Sequence, residues 1–382
     1  MNPAKMSSGA PFLPLEIISD VLKRLPVKSL IRFQSVCNLW KNLLKSPSFI
    51  ASHLDHSNRE NLTIIFRRIP YSFTLLYCLD GNMQPIQVRN NPFIDRFKSL
   101  EVVGCCNGLL CIQTRQLGKL PSLYLWNPAI REVREVPRSR PSTNLCYMTS
   151  LGFAFCPTVK DYKIVIPYVT PSDVEYGFEV YSLATTSWKN IKIPRLKEGH
   201  ILTECITSNG SMFWFATKRI VAGQYHGEDN TNLIASLYLA MDEFRLIPPP
   251  PLLENRIAKL TVYENKLAVF HYSQPFMNTG NTSIDLWVIE EGINGSWSKI
   301  LTCNPYPHFV KPLTIWRNQI VFSVIHKYFS VVGKDENDVA GSFLFDPTSN
   351  EVKVLYWGGD GTLQAVFTYV ESLVLISNIH TG

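Results

Sequence analysis

The stretch that decides the fold is Leu13–Leu54, LPLEIISDVLKRLPVKSLIRFQSVCNLWKNLLKSPSFIASHL. Pro14 suits the first position of a helix, where its missing N–H costs nothing, and Pro26 ends that helix and opens the next. Ser46-Pro47-Ser48 closes the run. The stretch therefore predicts two or three short helices. The first apolar stripe, at spacing i, i+3, i+4 and i+7, consists of Ile18, Val21, Leu22 and Leu25.

About forty residues cannot bury so many large apolar groups among themselves, because domains of that size are only marginally stable alone. One interpretation is a small helical subdomain that packs on the rest of the chain. The other is a helix bundle that completes its core on another protein. The spacing of the apolar residues does not separate these two interpretations.

Charge is concentrated in the same stretch. The chain has 382 residues and a formal net charge of +6. Residues 13–54 carry six Lys or Arg against Glu16 and Asp20, a local charge of +4, and Lys5 adds one more. The remaining 328 residues are therefore at +1, so the large C-terminal part lacks the positive charge of a nucleic-acid-binding domain. A basic stretch at the N-terminus would suit an acidic docking partner.

Beyond residue 61 the period changes from helical to alternating. Short β-branched and aromatic runs alternate with Gly, Pro, Asn and Asp clusters, which is typical of an all-β domain. Related units recur about every 50 residues, the kelch-like period of β-propellers. We therefore expect a propeller of about six blades, and the alternative is an open sandwich with chance repeats. Ala365–Tyr369 and Leu373–Ile376 are predicted to be final strands that seal the ring on the first blade.

The sequence offers no catalytic or cofactor-binding motif. It contains no H-E-x-x-H, G-x-S-x-G or phosphate-binding loop. Nine irregularly spaced cysteines without a C-x-x-C pair argue against a zinc site and favour a reducing compartment. His53 and His56 are interpreted as solvated residues at a helix end. From the missing motifs we predict a non-enzyme without cofactor or metal. Neither a signal peptide nor a membrane-spanning run is expected, so we predict that the protein lies in the cytoplasm, the nucleus or both.

Tryptophan recurs in register with the repeat. The expected role of these side chains is packing between strands of the blades, and a carbohydrate-stacking surface is the alternative. The five residues are Trp126, Trp188, Trp214, Trp287 and Trp297.

The N-terminal stretch closely resembles the F-box of plant F-box proteins. The matching residues are Leu13-Pro14, Ile18, Leu22, Arg24-Leu25-Pro26-Val27-Lys28-Ser29-Leu30, Arg32-Phe33, Val36-Cys37, Trp40 and Pro47-Ser48-Phe49. In that family the motif docks onto the Skp adaptor, an acidic protein, of a cullin-based ubiquitin ligase. The resemblance implies an adaptor-docking face, or its supporting core, formed by Leu13, Pro14, Ile18, Leu22, Leu25, Pro26, Leu30, Val36 and Trp40.

The repeats resemble the F-box-associated domain of plant F-box/kelch-repeat proteins. Among the motifs that carry this resemblance are Asn107-Gly108-Leu109-Leu110-Cys111, Trp126-Asn127-Pro128, Asp161-Tyr162-Lys163-Ile164-Val165, Ser187-Trp188, Ile284-Asp285-Leu286-Trp287-Val288 and Tyr369-Val370-Glu371-Ser372-Leu373. The expected organisation is an F-box at 13–54, a polar linker at 55–61 and a target-binding propeller at 62–380. Most recurring residues are those of strand cores and turns.

The resemblance implies the substrate receptor of an SCF-type E3 ubiquitin ligase. Its partners would be the Skp-type adaptor, through it the cullin and RING subunits, and an unknown target protein, without nucleic acid or membrane. The alternatives are an adaptor-binding scaffold that does not promote degradation and a carbohydrate-binding propeller. Target contacts are expected on long loops at one rim, with four candidates: Arg138–Asn144, Thr170–Gly177, Val221–Asn232 and Gln274–Thr282.

Overall fold

The fold is mainly β, with four helices at the N-terminus, as a computed structural model shows. The described residues are 13–60, 63–69, 75–79, 85–87, 100–114, 121–137, 150–169, 176–193, 200–218, 233–251, 256–273, 283–290, 295–304, 310–324, 342–355 and 362–379. The prediction of a mainly β chain behind a small helical region is confirmed.

The helical region contains one helix more than the sequence predicted. The helices are α1 (Leu15–Leu22), α2 (Val27–Phe33), α3 (Asn38–Lys45) and α4 (Pro47–Glu60). The prediction that Ser46-Pro47-Ser48 closes the helical run was wrong, because α4 continues to Glu60 and so includes most of the predicted linker at 55–61. Pro47 opens α4 instead, since proline is tolerated in the first turn, and the Ser46 hydroxyl caps the helix by accepting from the Phe49 N–H at 3.3 Å.

The four helices share a core with the β domain. Leu22, Val27, Leu30, Leu44 and Phe49 are buried together, and Leu373 from the far end of the chain lies among them. Two residues of a turn in the β domain, Ala129 and Ile130, pack against the same cluster. The helical region is therefore seated on the β domain, as the first of the two interpretations required.

The described strands form six four-stranded antiparallel sheets. The first contains β1 (Thr63–Ile69), β2 (Leu75–Leu79) and β3 (Pro85–Gln87) together with β24 (Thr362–Tyr369). The second and third contain β4 (Leu100–Cys106), β5 (Leu109–Thr114), β6 (Ser122–Asn127) and β7 (Glu132–Glu135), then β8 (Gly152–Cys156), β9 (Asp161–Val169), β10 (Tyr176–Ser182) and β11 (Ser187–Ile193). The fourth contains β12 (His200–Ser208), β13 (Ser211–Lys218), β14 (Leu233–Tyr238) and β15 (Glu243–Ile247). The last two contain β16 (Arg256–Tyr263), β17 (Lys266–Ser273), β18 (Ile284–Ile289) and β19 (Trp297–Cys303), then β20 (Val310–Trp316), β21 (Gln319–Val324), β22 (Ser342–Asp346) and β23 (Glu351–Leu355).

The sheets close into a ring around a central channel. The innermost strands β4, β8, β12, β16, β20 and β24 neighbour one another in that order, and β24 returns to β4. The ring is sealed because β24 pairs with β1, so that the first sheet combines strands from both ends of the domain. Closure of this kind removes the exposed sheet edges that would otherwise pair with other chains.

The second predicted closing strand, Leu373–Ile376, was wrong. That segment contains no strand, and a 3₁₀ helix, Ile376–Asn378, ends it. Its backbone N–H groups bond to side chains and not to a neighbouring strand. The Val374 N–H donates to the Ser372 hydroxyl at 3.0 Å, and the Ile376 and Ser377 N–H groups donate to the Glu132 carboxylate at 2.7 and 2.9 Å.

The connections alternate between two faces of the ring, because neighbouring strands are antiparallel. On one face lie the turns that join the first strand to the second and the third to the fourth, counted from the channel. The tightest of these turns have the left-handed backbone predicted from Asn, with φ of 50° at Asn107 and 48° at Asn209. The turn that touches the helical region, between β6 and β7, lies on this same face.

Candidate functional site

Exposed apolar side chains are concentrated in the helical region. The described residues contain eleven large hydrophobic side chains that are exposed, and seven of them lie between residues 13 and 39. These seven residues, the apolar face, are Leu13, Leu15, Ile17, Val21, Ile31, Val36 and Leu39. A soluble domain rarely leaves such a cluster uncovered, so a cluster of this kind marks an interaction surface.

The nine residues predicted for docking divide between exposed positions and the core of the helical region. Leu13, Pro14, Pro26 and Val36 are exposed, and the side chain of Val36 is 60% exposed. Leu22 and Leu30 are fully buried. Ile18, Leu25 and Trp40 are partly buried and pack against that core. The prediction that these residues belong to a docking face or to its supporting core stays a prediction.

Five members of the apolar face were missed as candidates from the sequence. They are Leu15, Ile17, Val21, Ile31 and Leu39. Val21 was assigned to the same apolar stripe as Leu22, whereas its side chain is 54% exposed and that of Leu22 is 2% exposed. The spacing contained no signal that separates the two residues, because Ile17 and Val21 have the same i, i+4 relation as Ile18 and Leu22.

Basic side chains are numerous in the same helices. Of the Lys and Arg side chains that are described between residues 13 and 58, all are exposed except Lys23, which forms an ion pair with Asp20 at 2.6 Å. That ion pair and its hydrogen bond lower the pKa of the Asp20 carboxyl. The exposed basic residues of the helices are Arg24, Lys28, Arg32, Lys41 and Lys45. The helical region thus exposes both apolar and positively charged side chains, a combination that favours an acidic partner with an apolar groove.

His53 is a core residue, so its interpretation as a solvated helix-end histidine was wrong. It lies within α4, is 2% exposed and packs against Phe49 with ring centroids 6.3 Å apart. Its Nε2 donates to the Leu25 carbonyl at 3.2 Å. Burial lowers the pKa of this imidazole, so His53 is neutral at pH 7. The buried side chain helps to hold α4 against the end of α1.

The tryptophans of the repeat pack within and between sheets. Trp126 and Trp214 are buried, and Trp188, Trp287 and Trp297 are partly buried. The indole of Trp188 donates to the Pro137 carbonyl at 2.8 Å, and that of Trp297 donates to the Pro248 carbonyl at 2.9 Å. Each bond joins an outer strand to the chain that leaves the preceding sheet. None of the five presents an exposed ring, so the packing interpretation is favoured over carbohydrate stacking.

The fifth sheet holds a buried ionic cluster. The Arg256 guanidinium donates to the Asp285 carboxylate at 2.5 Å and to the Ser283 hydroxyl at 2.9 Å. The Thr302 hydroxyl donates to the other carboxylate oxygen at 2.6 Å. Asp285 is 3% exposed, so its partners compensate a charge that would be costly to bury alone. The cluster spans three strands of one sheet and serves the fold.

The central channel contains a cavity of about 930 Å³. Its lining combines the charged residues Glu101, Lys259, Glu264 and Arg317, equal in number of each sign, with apolar and hydroxyl side chains. Asn58 of α4 also lines the cavity, so the helical region reaches one mouth of the channel. Within the described ranges, no three metal-ligating side chains cluster. Within the same ranges, no helix has the length and apolar character required to cross a bilayer.

The predicted target-binding loops fall almost entirely outside the described residues. Arg138–Asn144, Val221–Asn232 and Gln274–Thr282 are not described, and of Thr170–Gly177 only Tyr176 and Gly177 are. The ends of the described strands that these segments connect lie on the face of the ring opposite the helical region. Target binding through them stays a prediction.

Comparison with known proteins gives the class and the family. Residues 11–52 match the F-box domain, and residues 66–376 match the F-box associated beta propeller domain. The chain is 29% identical to the F-box/kelch-repeat protein At3g23880 of Arabidopsis thaliana, over 79% of this chain and 82% of that protein. It is 23% identical to the putative F-box protein At3g17480 of the same plant, over 97% of this chain and 99% of that protein. The chain belongs to the F-box proteins that carry an F-box associated β-propeller.

Among solved structures, a TolB from Acinetobacter baumannii is similar to this chain. The two are 10% identical, with a TM-score of 0.49, over 85% of this chain and 73% of the TolB chain.

Proposed function

We propose that this chain is the substrate receptor of an SCF-type ubiquitin ligase. Its F-box docks on the Skp-type adaptor, and through it on the cullin and RING subunits, while the propeller binds a target protein. The observation that carries the proposal is the apolar face, seven exposed side chains on a region the size of an F-box. Catalysis is then proximity, because the receptor brings lysines of the target close to the ubiquitin carrier. The complex would act in the cytoplasm, the nucleus or both.

The architecture supports adaptor docking and target binding on opposite faces of the ring. The F-box packs on the turn between β6 and β7, on the face of the short turns. The strand ends that border the long loops lie on the opposite face. A target bound there would be separated from the adaptor by the thickness of the ring, which leaves both surfaces accessible at once.

The docking test compares two matched pairs of exposed apolar residues. Val21→Asp with Val36→Asp places two charges on the apolar face, where the side chains are 54% and 60% exposed. The control is Val159→Asp with Met241→Asp, on the propeller, where they are 46% and 75% exposed. We expect the first pair to weaken binding of purified Skp-type adaptor at least 100-fold, about 2.7 kcal/mol, because a charge in a desolvated interface is unpaired.

The control pair should bind as the wild type does, and thermal unfolding should be unchanged in both variants, since all four positions are exposed. Absence of adaptor binding by the wild-type chain would overturn the proposal. Equal binding by the two variants would move the docking surface elsewhere.

A scaffold that binds the adaptor without promoting degradation is the second candidate. It shares the apolar face, so adaptor binding does not distinguish it. The measurement that does is the lifetime of proteins captured by the Val21→Asp, Val36→Asp variant, which retains the propeller. If the chain is a substrate receptor, we expect the captured proteins to be degraded faster in cells that contain the wild-type chain than in cells that contain the variant.

A further inference from the structure

The C-terminal segment 370–379 joins the F-box to the ring. Leu373 is 3% exposed and lies in the F-box core, with Leu30 and Phe49. Ile376, three residues later, is fully buried in the core between the second and third sheets. The segment follows directly on β24, the strand that seals the ring. One short stretch therefore contacts the F-box, the ring closure and two sheets.

The second sheet holds this segment through one buried side chain. Asn127 is fully buried, and its Nδ2 donates to the Ser372 and Val374 carbonyls, at 2.9 Å each. Its Oδ1 accepts from the Ala129 N–H at 3.0 Å and so forms the turn between β6 and β7. This turn contacts the F-box through Ala129 itself. Asn127 thus fixes both parts of the propeller that contact the F-box, the C-terminal segment and the turn between β6 and β7.

The equivalent turn of the sixth sheet shows why the residue is asparagine. Asp346 stands before a proline there, as Asn127 does before Pro128, and its Oδ1 accepts from the Thr348 N–H at 2.9 Å. A carboxylate suffices for that turn. Only the amide can also donate to two carbonyls, which is the additional task of Asn127.

A glycine provides the second point of attachment. Gly108 has φ of +76°, and a Cβ built there would lie 2.4 Å from the Ser372 Cβ and 2.6 Å from the Val370 carbonyl oxygen. Gly210 occupies the corresponding turn of the fourth sheet with φ of +71°, but its nearest contact would be at 3.2 Å, with the Pro157 ring. Gly108 is therefore required by the turn and also by the close approach of the C-terminal segment.

We propose that segment 370–379, held by Asn127 and Gly108, is a positioning joint that fixes the orientation of the F-box on the propeller. This inference rests on the proposed function, in which the ligase acts by holding a target at a set distance from the ubiquitin carrier. A loose joint would leave the adaptor-binding and target-binding surfaces intact. It would let the ubiquitin carrier reach lysines over a wider range of positions. Asn127 and Gly108 contact neither partner and act through the segment they hold.

The test uses two isosteric or nearly isosteric pairs in the full chain. Asn127→Asp replaces the two donated hydrogen bonds with contacts between a buried carboxylate oxygen and two carbonyl oxygens, and it keeps the oxygen that forms the turn. Asp346→Asn is the reverse exchange in the equivalent turn. Gly108→Ala adds a Cβ that the segment must leave, and Gly210→Ala is the control with the same backbone strain. Amide hydrogen exchange of α2 and ubiquitin transfer onto lysines of the chain itself, within the complete ligase, are the two readouts.

We expect α2 to exchange at least tenfold faster in Asn127→Asp and Gly108→Ala than in their controls. Adaptor affinity should stay within threefold of wild type, while the set of modified lysines becomes broader. Exchange equal to that of the controls would overturn the joint. Loss of both adaptor binding and the helical circular dichroism signal would overturn the positioning role. It would show that the segment is needed for the F-box to fold. If the wild type does not bind the adaptor, the proposed function fails, and the exchange measurement still decides whether the joint exists.

Discussion

The F-box and the propeller differ in how much of their apolar surface they bury. Between residues 13 and 39, seven large apolar side chains are exposed, whereas the described residues of the propeller expose four. The ring closes on itself and covers the faces of its sheets, while four short helices have too little volume to cover theirs. The F-box keeps apolar surface exposed even though it packs on the propeller. That surface is available to a partner.

The largest expected effect comes from placing a charge beneath the apolar face instead of on it. Leu30→Asp puts a carboxylate at a fully buried position, and we expect the F-box to lose at least about 3 kcal/mol of stability. Val36→Asp, 60% exposed, should change stability by no more than about 0.5 kcal/mol. Urea unfolding followed by the helical circular dichroism signal measures both.

Equal stability of these two variants would contradict the division into face and core. Loss of adaptor binding in Leu30→Asp is expected from unfolding alone, so only the exposed variants report on docking.

The two regions should also respond differently to acid, through one buried histidine each. The pKa of His271 in β17 is lowered from 6.5 to about 4, mainly by burial and also by the nearby Arg256 and Lys299 cations, while Asp285 opposes the shift. His53 in the F-box is lowered as well, but the hydrogen bond with Leu25 opposes the shift. Because the unfolded chain binds the proton more readily, the stabilisation is lost as pH falls from about 6.5 towards 4.

We therefore expect the urea midpoint of the propeller to decrease over that range, and His271→Gln to make the decrease smaller. His53→Gln should alter the pH dependence of the helical signal only. An unchanged pH slope in His271→Gln would show that the pKa of His271 is the same in the folded and unfolded chains.

The smallest effect is expected from the exposed basic side chains of the helices. Lys28→Gln with Arg32→Gln removes two exposed charges and should slow adaptor association by about three- to tenfold at low salt, with little effect at high salt. The matched control is Lys160→Gln with Lys353→Gln, exposed on the propeller. Stopped-flow association at two salt concentrations distinguishes the pairs, and equal slowing in both would indicate only a net-charge effect.

Local chemistry made much of the fold predictable. The turns at Asn107 and Asn209 have the positive φ that their residue type favours, and the alternating runs became strands. Pro47 was misread because proline both ends one helix and begins another, and the sequence does not say which. The predicted strand at Leu373–Ile376 failed because the Val374 N–H bonds to the Ser372 hydroxyl and the Ile376 N–H bonds to Glu132. Glu132 lies 244 residues earlier, and no local pattern reveals that contact.

The candidate site was predictable as a region but not residue by residue. Apolar spacing identified the helices. It did not separate the adjacent aliphatic residues Val21 and Leu22, whose side chains are 54% and 2% exposed. That difference arises from what each helix packs against, including Leu373 from the other end of the chain. The motifs around Gly108, Asn127 and Ser372 resembled turns and strand ends, and only the structure shows that they meet.

The measurement that tests the central claim most directly is hydroxyl-radical footprinting of the full chain with and without purified Skp-type adaptor. The account predicts that Val21, Ile31, Val36 and Leu39, exposed in the free chain, become protected at least threefold, while Val159 and Met241 on the propeller are unchanged. Protection of the propeller residues with the apolar face still reactive would contradict it.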